Sequence, residues 1–464
     1  MKLKYLLIFF LLIFVLFNFS IFFLSHLNND EIIYNGLACK ISKFGPLKVF
    51  KEAQYNLYNL ALFSSFQYLQ IAYSKLEVNN LIVDIGYFRG LERNKLSHHP
   101  PLLPFTLSCA RFFNTILPSG RYIMSTGNAP ADTLPYHLET AMVIIFFHIF
   151  TLLLLYYISR RYIKDDLKIF PLLLLASSPV WMVSTNKFWA ESLLVFLITL
   201  SLYYFLQFLE KEDAKSIFWA SFFSGLAGLA KMSGLFLPLA FWGFYLLLKL
   251  FSKEFFRDFK KIIIAMASSA LGLSLSFGWW LLLYTKTYSS PTKHLFVASA
   301  KAEQFESIFM KRVHSRPWYF YLLALIAQAP VYLFFYWFLI KAGLKKIKIN
   351  REKLFLISYI AFCLIILSKR KDRELRYLLI AYPAIAILAS IEIQKLYNII
   401  TKKILKVIFL LLLVITLCCQ WGYGAKIVFE RNSIFPTFMD DDSLSDIDNK
   451  VSLENIETED NTKI

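Results

Sequence analysis

The chain has 464 residues, of which 57% are hydrophobic and 18% are charged, whereas soluble domains are about 45–50% apolar and about 25% charged. With 47 Phe, 26 Tyr and 9 Trp, the chain has more aromatic side chains than a soluble fold of this size can bury, so much of its surface must face lipid. The 50 Lys+Arg and 32 Asp+Glu give a net charge of +18. In a soluble protein this charge would suggest nucleic acid, but in a membrane protein basic cytoplasmic loops account for it.

The first 25 residues predict a transmembrane helix with a cytoplasmic N-terminus. Their apolar run, residues 5–25, follows Lys2 and Lys4 and is too long for the core of a signal peptide. Residues 26–135 contain no comparable run and predict a large exterior loop, with interfacial amphipathic helices near 55–73 and 102–117. This loop is the largest non-spanning segment, so we expect the chemistry there.

Ten further apolar segments predict spans, separated by a second exterior loop at residues 285–318. Basic residues after the second, sixth, eighth and tenth spans fall on the side of Lys2 and Lys4, as the positive-inside rule requires. The acidic residues 423–464 predict a disordered exterior tail. The sequence therefore predicts an all-α, polytopic bundle of about 11 spans in a bacterial inner membrane, with its active site facing the periplasm. The predicted spans are 140–158, 169–183, 192–208, 217–230, 235–250 and 262–284 within residues 136–284, and 319–340, 354–367, 377–391 and 404–421 within residues 319–422.

Two candidate groups lie in the first exterior loop. Asp30 and Glu31 adjoin the outer end of the first span, where a carboxylate can act as a general base or a substrate anchor. The alternative is a solvated acidic pair at a helix end. His99 precedes the double proline Pro100-Pro101, which fixes an extended entry to the next helix. It is either a phosphate or metal ligand or a capping side chain.

Two further candidates lie at the ends of later spans. Glu191 lies near the outer edge of an otherwise apolar helix, and ionisable residues at such positions are functional candidates by default. Lys231 lies between two short spans, on the same membrane face as Glu191. Its alternative role is to extend its ammonium group to the membrane interface.

One basic cluster departs from the positive-inside rule. Residues 369–377, Lys-Arg-Lys-Asp-Arg-Glu-Leu-Arg-Tyr, include Arg373, Arg376 and Tyr377 and lie between two spans, on the exterior side. An anionic lipid headgroup or a lipid-linked phosphate accounts for cations there. The alternative is a misassigned span that puts this loop inside.

The sequence lacks the motifs of several other functional classes. The chain has no Walker or dinucleotide-binding glycine pattern, no zinc-ligand spacing and no nucleophile elbow. No inverted repeat supports a secondary transporter. Cys39 and Cys109 lie on the oxidising side, where they either form a disulfide or fill apolar positions.

Taken in order, these motifs resemble the GT-C superfamily of membrane glycosyltransferases, in its protein mannosyltransferase and aminoarabinose transferase branch. The matching stretches are the acidic pair, His-Pro-Pro-Leu at 99–102, Ser-Pro to Glu at 178–191, Gly-Leu-Ala to Lys-Met-Ser-Gly at 225–234, Arg-Tyr to Tyr-Pro at 376–383, and His314 before Pro317-Trp318-Tyr319. The resemblance covers about residues 5 to 395.

This resemblance implies a polyprenyl- or dolichyl-phosphate sugar donor and transfer, with inversion, to a hydroxyl of a lipid, glycan or protein. Asp30 would be the base supported by Glu31, and His99, Glu191 and His314 would be candidate substrate-binding residues. Glu191 stands where relatives commonly have Asp. No metal ligands are assigned, and dependence on a divalent cation stays open. The residues expected to flank the donor phosphate are Lys231, Arg373, Arg376 and Tyr377.

Two other classes compete with this prediction. An O-antigen polymerase or ligase also uses lipid-linked sugars, but its large loop normally comes late in the chain. A lipid-linked sugar flippase or transporter predicts charged residues within the spans, and here the charges lie mainly at their outer ends.

Overall fold

The structure, a computed structural model, describes residues 138–163, 165–185, 190–252, 256–279, 317, 319–344, 349–369 and 375–434, with positions 13, 14, 16, 102, 103, 106 and 107. All regular elements within these ranges are helical. The predicted first span and both exterior loops lie almost wholly outside the described residues, as do Cys39, Cys109 and residues 435–464. The helices are α1 Leu138–Ser159, α2 Phe170–Ala176, α3 Pro179–Thr185, α4 Ala190–Lys211, α5 Ala214–Ala230, α6 Phe236–Phe251, α7 Phe259–Leu273, α8 Phe320–Gln328, α9 Leu333–Gly343, α10 Arg351–Lys369, α11 Tyr382–Ile399 and α12 Lys403–Ile434.

Five helices among the described residues are long and apolar enough to cross a bilayer. They are Met142–Ser159, Ala190–Lys211, Met232–Phe251, Phe259–Gly278 and Lys403–Ile427. A bent pair, α8 with α9, makes a sixth if it is counted as one span. The chain is therefore a polytopic helical membrane protein, as predicted, and the figure of about 11 spans stays a prediction.

Two predicted spans are not continuous helices. The segment predicted at 169–183 breaks after Ala176, and α3 begins at Pro179. The segment predicted at 319–340 bends by 118° at the break before Pro330. Proline lacks an amide proton and disfavours a helical residue before it, so each helix must end there. At the second break Gln420 Oε1 accepts a hydrogen bond from the Val331 amide at 3.3 Å, which satisfies one freed backbone group.

The last helix is longer than the predicted span. It runs to Ile434, so residues 423–434, assigned to the exterior tail from their sequence, are helical. Only 17% of the membrane-spanning part of α12 is buried within the protein, whereas 72% of α4 is buried. α4 therefore lies at the centre of the bundle, and α12 lies at the periphery with most of its apolar surface free to face lipid.

Close packing holds the centre together. The rings of Phe205 and Phe241 stack at 4.1 Å between α4 and α6. α5 and α7 approach closely through small residues, since a Cβ on Gly272 would lie 2.5 Å from Phe218 O. Their serines also pair, with Ser221 Oγ 2.6 Å from Ser269 Oγ. Small residues and hydroxyl pairs are the usual means of joining helices in lipid.

The bundle has two ends that differ in charge. α4 runs from the Glu191 end, where α5 finishes and α11 is entered, to the Lys249 end. At the Lys249 end Lys249 Nζ contacts Glu212 at 2.8 Å and Asp258 at 2.7 Å, and Arg351 contacts Glu212 at 3.5 Å. Charged groups therefore collect in layers at the ends, leaving the middle to apolar packing.

Candidate functional site

The site forms around the carboxylate of Glu191, in the first turn of α4. Only 3% of this residue is exposed. Its Oε1 accepts a hydrogen bond from Lys231 Nζ at 2.6 Å and lies 3.7 Å from Arg376 Nε. A carboxylate is favourable near a helix N-terminus, but a buried charge also needs direct partners. The two cations supply them.

Lys231 is positioned by the tight turn between α5 and the 3₁₀ segment Met232–Leu235. It ends α5 in an extended conformation, and its amide donates to Ala227 O at 2.9 Å. Gly234 closes the turn by donating its amide to Lys231 O at 2.8 Å. A Cβ on Gly234 would lie 2.3 Å from the Ala227 carbonyl carbon, so this approach requires glycine. The turn directs the Lys231 side chain to the start of α4.

Arg376 and Tyr377 lie in the 3₁₀ segment Leu375–Ile380, between α10 and α11. The Tyr377 ring faces both cations, with its centroid 4.7 Å from Lys231 Nζ and 5.6 Å from Arg376 Cζ. Aromatic faces attract cations at such distances. The segment is anchored from α10, because Tyr359 donates its hydroxyl proton to Ile380 O at 2.8 Å. Three separate parts of the chain thus contribute to one site, which we call the Glu191 cluster: Glu191, Lys231, Arg376 and Tyr377.

Among the residues that the structure describes, the Glu191 cluster contains two cations and one carboxylate. The Lys231 and Arg376 side chains are 22% and 20% exposed, and that of Glu191 is 4% exposed. The buried carboxylate therefore contacts the two cations from the protein interior, and part of each cationic side chain stays exposed. This arrangement suits an anion such as phosphate, which accepts charge-assisted hydrogen bonds from both types of cation.

Similar clusters occur at the Lys249 end. The buried Glu392 carboxylate contacts Lys341 Nζ at 3.0 Å and Lys395 Nζ at 2.6 Å. The hydrogen bond from Lys249 lowers the pKa of the Asp258 carboxyl below its usual value. The positive-inside rule predicts that basic residues collect at one end of a membrane bundle. The two cations of the Glu191 cluster lie at the end opposite to these clusters.

The structure brings together four of the predicted site residues. They were predicted from three separate segments of the sequence and meet in the Glu191 cluster. The Lys231 ammonium contacts Glu191, which differs from the alternative of a side chain extended to the membrane interface. The other predicted site residues lie outside the described residues, and their roles stay predictions: Asp30, Glu31, His99, Arg373 and His314.

Sequence reasoning missed a polar pair beside the cluster. His148, on α1, is 1% exposed, and its Nε2 lies 3.0 Å from the hydroxyl of Ser192, the residue after Glu191. The signal was present, because a histidine within an apolar helix marks a functional position by default.

No metal centre is visible in the part of the chain that the structure describes, where no three His, Cys, Asp or Glu side chains come together as ligands. Dependence on a divalent cation therefore stays open.

Comparisons with known proteins point to membrane glycosyltransferases. Residues 138–280 match the family described as dolichyl-phosphate-mannose-protein mannosyltransferase, a range that includes Glu191 and Lys231. A protein of Aquifex aeolicus (strain VF5), described as uncharacterized, is 28% identical over 255 residues, which are 53% of this chain and 47% of that protein. The chain thus spans about half the length of this curated relative.

A solved structure shares the fold. The crystal structure of ArnT from Cupriavidus metallidurans bound to undecaprenyl phosphate aligns with a TM-score of 0.53 and 12% sequence identity, over 83% of this chain and 60% of the ArnT chain. The family match over residues 138–280 and the fold shared with ArnT agree with the predicted resemblance to membrane glycosyltransferases.

Proposed function

We propose that the protein is an inverting glycosyltransferase that moves a sugar from a polyprenyl-phosphate donor to a hydroxyl of a lipid, glycan or protein at the outer face of the membrane. The observation that carries this proposal is the Glu191 cluster, in which a buried carboxylate holds two partly exposed cations. The match to a dolichyl-phosphate-mannose family and the undecaprenyl phosphate bound to ArnT support a donor of this class.

The cluster fits the departing phosphate. When the bond between the anomeric carbon and the phosphate oxygen breaks, the oxygen keeps the electron pair and the polyprenyl phosphate gains a negative charge. Lys231 and Arg376 are two cations placed to stabilise that charge, and Arg373, three residues before Arg376, is a third candidate. Fixed cations that face developing charge are a major source of transition-state stabilisation.

The remaining step is the activation of the acceptor. We assign it to Asp30, which takes the proton of the acceptor hydroxyl as the oxygen attacks the anomeric carbon from the face opposite the phosphate. Glu31 supports Asp30, and His99 and His314 are candidate substrate contacts from the two exterior loops. Attack from the opposite face inverts the configuration of the anomeric carbon.

The sidedness of the reaction follows from charge. Many basic residues lie at the Lys249 end, among them Arg161, Lys341 and Lys395. The positive-inside rule makes this the cytoplasmic end. The Glu191 cluster then faces the periplasm of a bacterial inner membrane, where the donor's polyprenyl tail enters the outer leaflet beside the site.

Binding of undecaprenyl phosphate to the purified protein in lipid nanodiscs tests the phosphate site. We expect Arg376→Ala to weaken binding by roughly tenfold or more, the loss of one charge-assisted hydrogen bond. Lys402→Ala, which removes an exposed cation near the start of α12 at the Lys249 end, is the control and leaves binding unchanged. Equal affinities of the wild type and Arg376→Ala would remove Arg376 from the site.

A second experiment addresses the acceptor. Mass analysis of envelope lipids, glycans and proteins, with and without this protein, identifies the molecule that loses a sugar. Asp30→Asn is expected to give the same loss while the protein still inserts in the membrane and binds undecaprenyl phosphate. A fully active Asp30→Asn enzyme would exclude Asp30 as the base.

A further inference from the structure

A buried chain of polar groups joins three helices beside the Glu191 cluster. His148 Nε2 on α1 lies 3.0 Å from Ser192 Oγ on α4, and Ser192 Oγ lies 3.4 Å from Ser184 O on α3. The His148 ring also packs edge-on against the ring of Trp181 at 4.7 Å. His148, Ser192 and Ser184 are each at most 1% exposed. We call this chain the His148 anchor: His148, Ser192 and Ser184.

The number of protons on each group determines which atom donates each hydrogen bond. A serine hydroxyl has one proton, so Ser192, when it donates to Ser184 O, accepts a hydrogen bond from the Nε2–H of His148. Nε2–H, the Ser192 hydroxyl and the Ser184 carbonyl are then all engaged, while Nδ1 of His148 is buried with no hydrogen-bond partner among the described residues. Loss of the Ser192 hydroxyl therefore breaks both bonds and leaves the buried imidazole N–H without this acceptor, which is costly in an apolar interior.

The anchor and the ion pairs occupy the same turn of α4. Successive residues of a helix point about 100° apart, so Ser192 is directed to α1 and α3 while Glu191 is directed to Lys231 and Arg376. The helix N-terminus is held on one side by neutral hydrogen bonds and on the other by charges. A shift of this turn would move the Glu191 carboxylate with it.

We propose that His148 and Ser192 are positioning residues: they fix the first turn of α4, and Glu191 in turn holds Lys231 and Arg376 in the arrangement that binds the donor phosphate. This inference rests on the proposed function. Small displacements of positioned groups have large effects in such sites, so an intact anchor is needed for phosphate binding although neither residue contacts the phosphate.

The test compares two buried serines of the same helix. Ser192→Ala removes the anchor, whereas Ser201→Ala removes a hydroxyl that donates to Ala220 O at 2.5 Å, farther along α4 and away from the cluster. Undecaprenyl phosphate affinity is measured in lipid nanodiscs, together with thermal unfolding. We expect Ser192→Ala to weaken binding about tenfold and Ser201→Ala to lower only stability.

Conservative variants separate positioning from folding. Ser192→Thr keeps the hydroxyl, and His148→Gln keeps a donor at the place of Nε2, so both are expected to retain more affinity than Ser192→Ala and His148→Leu. If Ser192→Ala binds undecaprenyl phosphate as tightly as the wild type, the inference is overturned.

If the wild type itself fails to bind undecaprenyl phosphate, the proposed function is refuted. A measurement without ligand then still tests the anchor. Ser192→Ala and Lys231→Met are combined, and the effects of the single and double variants on the free energy of unfolding are compared. Non-additive effects support the anchor as the support of the ion pair, and additive effects overturn it.

Discussion

Replacement of Lys231 by methionine separates the structural role of the Glu191 cluster from phosphate binding. Methionine keeps an unbranched, flexible side chain of similar length and removes the charge. Lys231→Met leaves the buried carboxylate of Glu191 with Arg376 at 3.7 Å as its remaining cation in the cluster. The ion pair of 2.6 Å is lost.

Two magnitudes follow. Removing one partner of a buried ion pair costs about 3–5 kcal/mol. We expect about 3 kcal/mol, the low end, because Arg376 remains and 22% of the Lys231 side chain is exposed. The loss of one charge-assisted hydrogen bond to phosphate costs about 1.5–3 kcal/mol, which corresponds to a Kd for undecaprenyl phosphate that is about 10- to 150-fold higher.

The double variant Glu191→Gln with Lys231→Met distinguishes the two effects. It removes both charges of the ion pair, including the buried carboxylate, so most of the lost stability should return. The summed charge of the four residues of the cluster is then +1, as in the wild type, with Arg376 as its cation. Weak phosphate binding by this stable double variant therefore reports the missing Lys231 contact and not a changed net charge.

The Lys249 end offers a matched control. Glu392 is also buried between two cations, and Lys341 Nζ lies 3.0 Å from its carboxylate with 18% of the side chain exposed. Lys341→Met should lower stability by a similar amount and leave the Kd for undecaprenyl phosphate unchanged. If both lysine variants reduce binding equally, or if neither does, the reasoning about the Glu191 cluster is wrong.

Two further predictions concern the supports of these clusters. Gly234→Ala places a Cβ 2.3 Å from the Ala227 backbone and should displace Lys231, which lowers both stability and phosphate affinity. In contrast, the Cβ of Gly243→Ala in α6 meets nothing within 4 Å, and this variant should stabilise the protein by up to about 1 kcal/mol. Equal unfolding temperatures for the two variants would contradict this prediction. Asp258 has a lowered pKa in the folded protein, so its stabilising effect is present above its unfolded pKa of about 3.9 and is lost as the pH falls through the folded value. Thermal unfolding should show the wild type more stable than Asp258→Asn from pH 8 to about pH 5, with the difference shrinking below about pH 4; a difference that grows on acidification would refute the assignment.

Much of the fold could be predicted because the bilayer restricts spanning segments to long apolar helices. The segment predicted at 140–158 is α1, Leu138–Ser159, and that predicted at 192–208 is α4, Ala190–Lys211. The two interrupted spans were missed because hydropathy averages over a window and is insensitive to a single proline. Pro179 and Pro330 were visible in the sequence, and the rule that helices end before proline would have located both breaks.

The site was predictable residue by residue but not as an arrangement. Glu191, Lys231 and Arg376 each stood out as a charge at the end of an apolar segment. Their meeting depends on how α4, α5 and the entry to α11 pack, and Glu191 and Arg376 are far apart in the sequence. Apolar periodicity does not specify which helices are neighbours, so the ion pairs could only be found in the structure. His148 shows the opposite case, a usable signal within α1 that was overlooked.

The central claim is that this protein breaks the bond between a sugar and a polyprenyl phosphate and passes the sugar to an acceptor. The direct measurement incubates the purified protein, in vesicles, with a polyprenyl-phosphate donor labelled in the sugar, together with envelope material from cells lacking the protein. The account predicts that label appears in an acceptor while an equal amount of free polyprenyl phosphate is released, and that Lys231→Met slows both. Label that crosses the membrane still attached to the polyprenyl lipid, without release of polyprenyl phosphate, would contradict it and identify a transporter.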